Sequence, residues 1–147
     1  MNTPLRLTIL CGVCLSVLGQ VAKEANSRYQ TPEGRAAVAK GLSASDRDSR
    51  QKPKELVDAM ELRAGMVVAD VGTGVGYMLP FLSKAVGPSG QVLAEDIFDD
   101  FLKAATDKAQ KEKLTNVSFI KGTETTPNLP EASIDVILAL DSYHHYD

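Results

Sequence analysis

Asp70-Val71-Gly72-Thr73-Gly74-Val75-Gly76 sets an acid in front of three glycines at alternate positions, directly after the apolar run Val67-Val68-Ala69. Glycine has no Cβ, so it adopts left-handed backbone without strain and lets a ligand lie against the main chain. A strand that ends this way and turns into a helix can hold a nucleotide-like molecule. The helix would aim free N–H groups and its positive dipole end at a ligand carboxylate or phosphate. A second acidic pair, Glu95-Asp96, closes the next apolar run, Val92-Leu93-Ala94. A carboxylate there can accept hydrogen bonds from the vicinal hydroxyls of a ribose, with Asp96 nearer the expected strand end and Glu95 in reserve. The competing role for Asp96 is to cap the following helix. The chemistry implied is that of a small-molecule transferase or oxidoreductase.

Only a parallel sheet brings these positions together. Met66 to Asp70 has the unbroken apolar character of a strand buried on both faces. Pro53 opens a helix before it, at a position where a missing N–H costs nothing. Gly76 to Val86 predicts the helix after it, with Pro80 near its first turn. Gln91 to Glu95 reads as the second strand. Phe98, Phe101, Leu102, Ala105 and Ala109 recur at three- and four-residue steps, an amphipathic helix to about Lys113. Val117 to Ile120 and Ile134 to Leu140 supply the third and fourth strands. This alternation predicts an α/β fold, a doubly wound parallel sheet with the glycine turn at its carboxyl edge. Residues 20–50 form a polar N-terminal extension, in which Arg35 to Lys40 predicts a short helix and Ser43 to Ser49 a loop.

The chain has 147 residues, enough for one domain with a modest core. Its net charge of −3 argues against a nucleic-acid binder, which needs clustered Lys and Arg. Lys108, Lys111 and Lys113 alternate with Asp107 and Glu112, the pattern of a solvated helix face. A small-molecule substrate is the expected partner. Arg6 precedes an apolar run from Leu7 to Leu18, and charge resumes at Lys23 and Glu24. This predicts a signal peptide over residues 1–19, cleaved near Gly19, and an exported protein. The run falls short of the roughly 20 residues a stable membrane span needs. A membrane anchor or a cytoplasmic apolar tail are the alternatives. Cys11 and Cys14 lie inside this run, so their C-x-x-C spacing is not read as a redox or zinc motif.

Asp141-Ser142-Tyr143-His144-His145-Tyr146 follows the fourth strand. His144 or His145 could act as a base near neutral pH. Equally, they could begin a helix, one packed inward and one facing water. Adjacent histidines without a spaced third ligand are not a metal site. Tyr77 is expected to pack under the glycine loop.

Dinucleotide-binding folds prefer G-x-G-x-x-G, whereas the sixth position here is Tyr77; an NAD-dependent oxidoreductase remains the alternative. From about Arg50 to Asp147 the chain resembles the class I S-adenosylmethionine-dependent methyltransferases, with the flavour of the ubiquinone/menaquinone type. Asp70 to Gly76 is similar to their first motif and Val92-Leu93-Ala94-Glu95-Asp96-Ile97 to their second. Asn116 to Gly122 is similar to their third strand, and Leu129 to Leu138 to the approach to their fourth. The resemblance implies a Rossmann-like methyltransferase fold over residues 51–147, with S-adenosyl-L-methionine as cofactor. Gly72 and Gly74 would pass the methionine part of the cofactor close to the backbone, with Gly76 completing the loop. Asp70 would hold that loop and Asp96 the ribose. Family members commonly carry an Asp after the third-strand Gly; here Thr123 and Glu124 follow Gly122, so Glu124 would serve the adenine. Asp141 falls where the family lines its pocket. The family's sheet continues beyond its fourth strand, so the domain is expected to be partial and Ile134 to Leu140 an apolar edge. A non-catalytic, exported remnant of the same fold is the other class of function open at this point.

Overall fold

A β-branched, apolar strand core and short connections give a four-stranded parallel sheet. The computed structural model describes residues 23–145; the expected signal segment 1–19, with Cys11 and Cys14, lies outside the described residues, as do Tyr146 and Asp147. The elements are, in chain order, α1 (Pro32–Leu42), α2 (Arg47–Gln51), α3 (Pro53–Ala59), β1 (Val67–Val71), α4 (Leu79–Val86), β2 (Gln91–Asp96), α5 (Asp99–Lys111), β3 (Val117–Lys121) and β4 (Val136–Leu138). Single turns of 3-10 helix span Ser27–Tyr29 and Tyr143–His145. The strand order is β3-β2-β1-β4, with every pair parallel. The expected α/β architecture is therefore present, with a helix between β1 and β2 and between β2 and β3, and a loop from β3 to β4.

Register sets the core. Val68 pairs with Val92 on one side and Val136 on the other, and Asp70 with Ala94 and Leu138. Alternate side chains share a face, so Val68, Val92, Ala94 and Leu138 meet Leu79, Leu82 and Val86 of α4 in one buried cluster, joined by Ala105 of α5 and Val57 of α3. Ile137, between two inward residues of β4, is 62% exposed and stands at the free edge of the described sheet. Asn116 links layers: its amide donates to the carbonyls of Ser83 and Gly87 at the end of α4, just before β3 begins.

Three boundaries differ from the sequence expectation. Helix α4 begins at Leu79 rather than Gly76, because Pro80 is best accommodated at the second helical position, where its missing N–H has no helical partner to lose. Strand β4 is shorter than Ile134 to Leu140, because the Asp135 carboxylate takes the Val67 N–H (2.8 Å) in place of a ladder carbonyl. The polar extension is more ordered than its composition suggests. Pro32 and the Thr31 hydroxyl, which accepts from the Gly34 N–H (3.1 Å), start a helix that runs to Leu42. Residues read as loop continue into α2.

Gly76 has a packing role. Its φ is +77°, and a Cβ there would meet Leu79 Cδ1 at 2.8 Å and the Cα of Ala105 at 3.1 Å. The glycine lets the loop sink against α4 and α5, so it belongs to the core rather than to a ligand surface. Gly76→Ala is expected to destabilise the protein by about 2–4 kcal/mol, from left-handed strain plus overpacking. Gly41→Ala on α1, where no atom lies within 4 Å, should instead be neutral or stabilising by about 0.5–1 kcal/mol. Urea unfolding of both variants checks this, and equal destabilisation would contradict it.

Candidate functional site

The carboxyl ends of β1 and β2 place three acids on one turn. Asp70, Glu95 and Asp96 are 3%, 3% and 5% exposed. The Thr73 hydroxyl donates to Asp70 Oδ2 (2.7 Å), and the Thr73 N–H to the Glu95 carbonyl (2.8 Å). The Gly72 N–H donates to Glu95 Oε2 (3.2 Å) and the Gly74 N–H to Asp96 Oδ2 (2.9 Å), while Asp96 Oδ1 accepts from the Phe98 N–H (3.0 Å). Gly72 and Gly74 sit at φ +74° and +56°, conformations that strain any side chain with a Cβ. The turn is thus held by side chains from the neighbouring strand.

Burial shifts these acids. Desolvation raises the Asp70 carboxyl from 3.8 to about 6, against the opposing Thr73 hydrogen bond. It raises Glu95 from 4.5 to about 7, against the Gly72 N–H and with the help of the Asp96 and Asp70 charges. Asp96 is also raised by burial, although three backbone N–H groups pull it down.

Above this turn lies a small cleft of about 30 Å³, open to solvent. Asp70, Gly72, Thr73 and Gly74 form its floor and Leu42, Arg47, Tyr77 and Asp141 its walls. Asp70, Gly72, Gly74 and Asp141, expected from the sequence to hold the cofactor, all line this cleft. Arg47, in a stretch read as a loop, is 7% exposed. Its guanidinium lies 4.0 Å from the centroid of the Tyr77 ring, a cation–π contact, and Nη1 donates to the Leu42 carbonyl (2.9 Å). Tyr77 in turn donates its O–H to Asp48 Oδ1 (2.8 Å), and Gln51 Nε2 donates to Asp141 Oδ2 (2.6 Å). Residues 42–51 are therefore bound across the glycine turn. No local pattern marks Arg47: its neighbours Asp46 and Asp48 suggest a solvated charge, and its burial depends on partners distant in sequence.

A second contact closes the Asp96 end. Tyr29 stacks on Phe98 (5.8 Å) and meets Phe101 and His145 edge-on, at 6.0 and 4.8 Å. Its phenol pKa is raised, first by burial and then by the Asp96 and Asp141 charges. His145 is half-buried in this cluster, with Nδ1 2.7 Å from Asn26 Oδ1, and His144 is exposed. One histidine packs inward and one faces water, and neither lines the cleft. Glu124 is exposed on the loop after β3 and does not line the cleft either. The acid against the third-strand glycine is instead Glu95, whose Oε1 lies 1.8 Å from where a Cβ of Gly122 would stand.

This geometry meets known proteins at one family. The methyltransferase domain family matches residues 68–147. The chain belongs to that family. It is 33% identical over 90 residues to the nocamycin O-methyltransferase of Saccharothrix syringae, covering 61% of this chain and 32% of that one. It is 34% identical over 77 residues to the ubiquinone/menaquinone biosynthesis C-methyltransferase of a Marinomonas strain, covering 52% and 31%. An S-adenosylmethionine-dependent methyltransferase from Aquifex aeolicus superposes with a TM-score of 0.65 at 37% identity, covering 69% of this chain and 54% of that one. The chain spans about a third of the length of these curated relatives.

S-adenosylmethionine is the cofactor of this methyltransferase domain, and the residues present fit it. Side chains at Gly72 or Gly74 would strain the turn that forms the cleft floor, and at Gly74 a Cβ would also press on Leu42 Cδ1 at 3.0 Å. Asp96, buried beside the cleft and not in its lining, takes the Gly74, Phe98 and Ile97 N–H groups, which leaves one of a carboxylate's roughly four acceptor positions for a ribose hydroxyl.

The raised acids fix the sign of a pH effect. Between about pH 4.5 and 7 the folded protein keeps a proton on Glu95 that the unfolded chain has released, so stability falls as pH rises through that window. Asp70 adds a change of the same sign between about 3.8 and 6. Glu95→Gln, whose amide oxygen still accepts the Gly72 N–H, should raise stability at pH 8 by about 1–3 kcal/mol and flatten the slope between pH 5 and 8. Denaturant unfolding at both pH values measures this; a variant less stable than the parent at pH 8 would contradict it.

Proposed function

We propose that this chain binds S-adenosylmethionine and serves methyl transfer to a small-molecule acceptor. The observation that carries the proposal is the left-handed Gly72–Gly74 turn, held between Asp70 and Asp96 beneath a cleft that also contains a buried cation. When bound, the cofactor supplies an electrophilic methyl group on a sulfonium sulfur. Such a displacement is accelerated chiefly by alignment, so the protein must hold geometry rather than provide a covalent catalyst. Gly72 and Gly74 expose backbone to the methionine portion, and Asp96 accepts from a ribose hydroxyl. Leu42 and Arg47 wall one side of the cleft. The acceptor is outside this machinery: the two relatives named above are an O- and a C-methyltransferase.

A small acceptor is favoured over nucleic acid by charge. Lys103 and Lys108 of α5 each pair with an acid one turn on, Asp107 and Glu112, both at 2.7 Å. Among the described residues no helix is long and apolar enough to cross a membrane.

Titration calorimetry with S-adenosylhomocysteine tests the proposal. Saturable binding is expected, weakened about 10-fold or more by Asp96→Asn, equivalent to about 1.4 kcal/mol or more. Unchanged affinity in that variant would remove the ribose role, and tighter binding of NADH would move the chain to the oxidoreductases. Bulk transfer RNA at 0.1 M salt should give no saturable heat; if it does, the acceptor class is wrong.

A further inference from the structure

Glu95 takes two successive amides of the glycine turn, the Gly72 N–H on its side chain (3.2 Å) and the Thr73 N–H on its main-chain carbonyl (2.8 Å). Gly72 lines the cleft, so the Glu95 carboxyl stands one hydrogen bond beneath the cleft floor. Its other oxygen is packed against Gly122. The carboxyl is poorly matched as an anion. Among the described residues the Gly72 N–H is its one hydrogen-bond donor, at the long end of the roughly 2.7–3.2 Å range for such bonds. The charges that face it, Asp96 beside it on β2 and Asp70 on β1, have its own sign. The nearest basic side chains are engaged elsewhere: Lys121 of β3 with Asp99 at the start of α5 (2.7 Å), and Arg47 of α2 with Asp141 after β4 (3.6 Å). Burial first, then the two neighbouring acids, raise the Glu95 carboxyl to about 7, so its charge changes near neutral pH.

We infer that Glu95 makes the cleft sense the charge on the cofactor's sulfur: ionised, it favours the sulfonium over the neutral thioether, and protonated, it removes that preference. The inference rests on the cofactor reading given above and adds the residue that separates the methyl donor from its spent form. A sulfonium carries a full positive charge but no N–H, so no hydrogen bond can single it out. A buried negative charge beneath the floor can, because the low-dielectric interior screens it less than water does. Loss of the methyl group leaves the bonding pair on sulfur, now a thioether, and the attraction disappears. Ionised Glu95 therefore holds the donor more firmly than the spent cofactor, which favours exchange of one for the other. Asp70 titrates lower, at about 6, and three backbone N–H groups favour the ionised form of Asp96. Glu95 is thus the acid of the three whose charge changes near pH 7.

Titration calorimetry of the full chain with S-adenosylmethionine and S-adenosylhomocysteine, at pH 6.5 and pH 8, tests it. At pH 8, Glu95→Gln should weaken S-adenosylmethionine about five-fold more than S-adenosylhomocysteine. From pH 6.5 to 8 the preference for S-adenosylmethionine should rise about three-fold more in the parent than in the variant. Titration of the ligands themselves is common to both proteins and drops out of that comparison. Equal weakening of both ligands by Glu95→Gln would show a merely structural acid and overturn the inference, as would the same pH trend in parent and variant. Either result leaves the cofactor reading intact, whereas a parent protein that binds neither ligand overturns both. Should Glu95→Gln fail to unfold cooperatively, the parent alone decides. Binding heats at pH 7 in two buffers of different ionisation enthalpy count the protons exchanged. S-adenosylhomocysteine should take up more protons than S-adenosylmethionine, since a cation above the floor favours ionised Glu95. Equal or reversed uptake overturns the inference.

Discussion

Burial of three carboxylates at the end of two adjacent strands is the constraint on which the site depends. In a low-dielectric interior an unsatisfied acid is costly, and a satisfied one specifies geometry. Asp70, Glu95 and Asp96 find their donors in the short segment that follows β1: the Thr73 hydroxyl, the Gly72 N–H and the Gly74 N–H. For those groups to point at the acids, Gly72 and Gly74 must take left-handed backbone. The turn's shape is therefore set by contacts within the protein, and the cleft above it is a consequence.

Strand geometry explains how two neighbouring acids divide the work. Successive side chains on β2 point to opposite faces, so Glu95 and Asp96 reach the turn from two sides. The sequence alone offered them as alternatives for one role. They hold different amides, and Glu95 also fills the space left by Gly122. Glu95 stands where a side chain at position 122 would have to go, so that position carries glycine.

The strands, the glycine turn and the acids were legible in sequence because each has a local signature: β-branched runs, alternate glycines, an acid at a strand end. The amphipathic spacing of Phe101, Ala105 and Ala109 likewise marked α5, and all three are buried. Arg47 and Tyr29 were not legible, since their burial arises from partners far along the chain, Asp141 and Tyr77 for one, Phe98 and His145 for the other. A polar segment with no hydrophobic period gives no sign that it packs across a site. Similarly, nothing local separates a catalytic histidine from His145, whose ring is held by Asn26 and Tyr29. Acceptor choice is separate again, for relatives of this domain are named for methylation at different atoms.

The central claim is that the glycine turn and residues 42–51 form one cofactor pocket. Hydrogen–deuterium exchange of the full chain, with and without saturating S-adenosylhomocysteine, tests it most directly, because exchange reports opening of each segment separately. The account predicts that the ligand slows exchange together in residues 42–51, 70–78 and 95–98. Slowing confined to the glycine turn, with residues 42–51 unchanged, would contradict it.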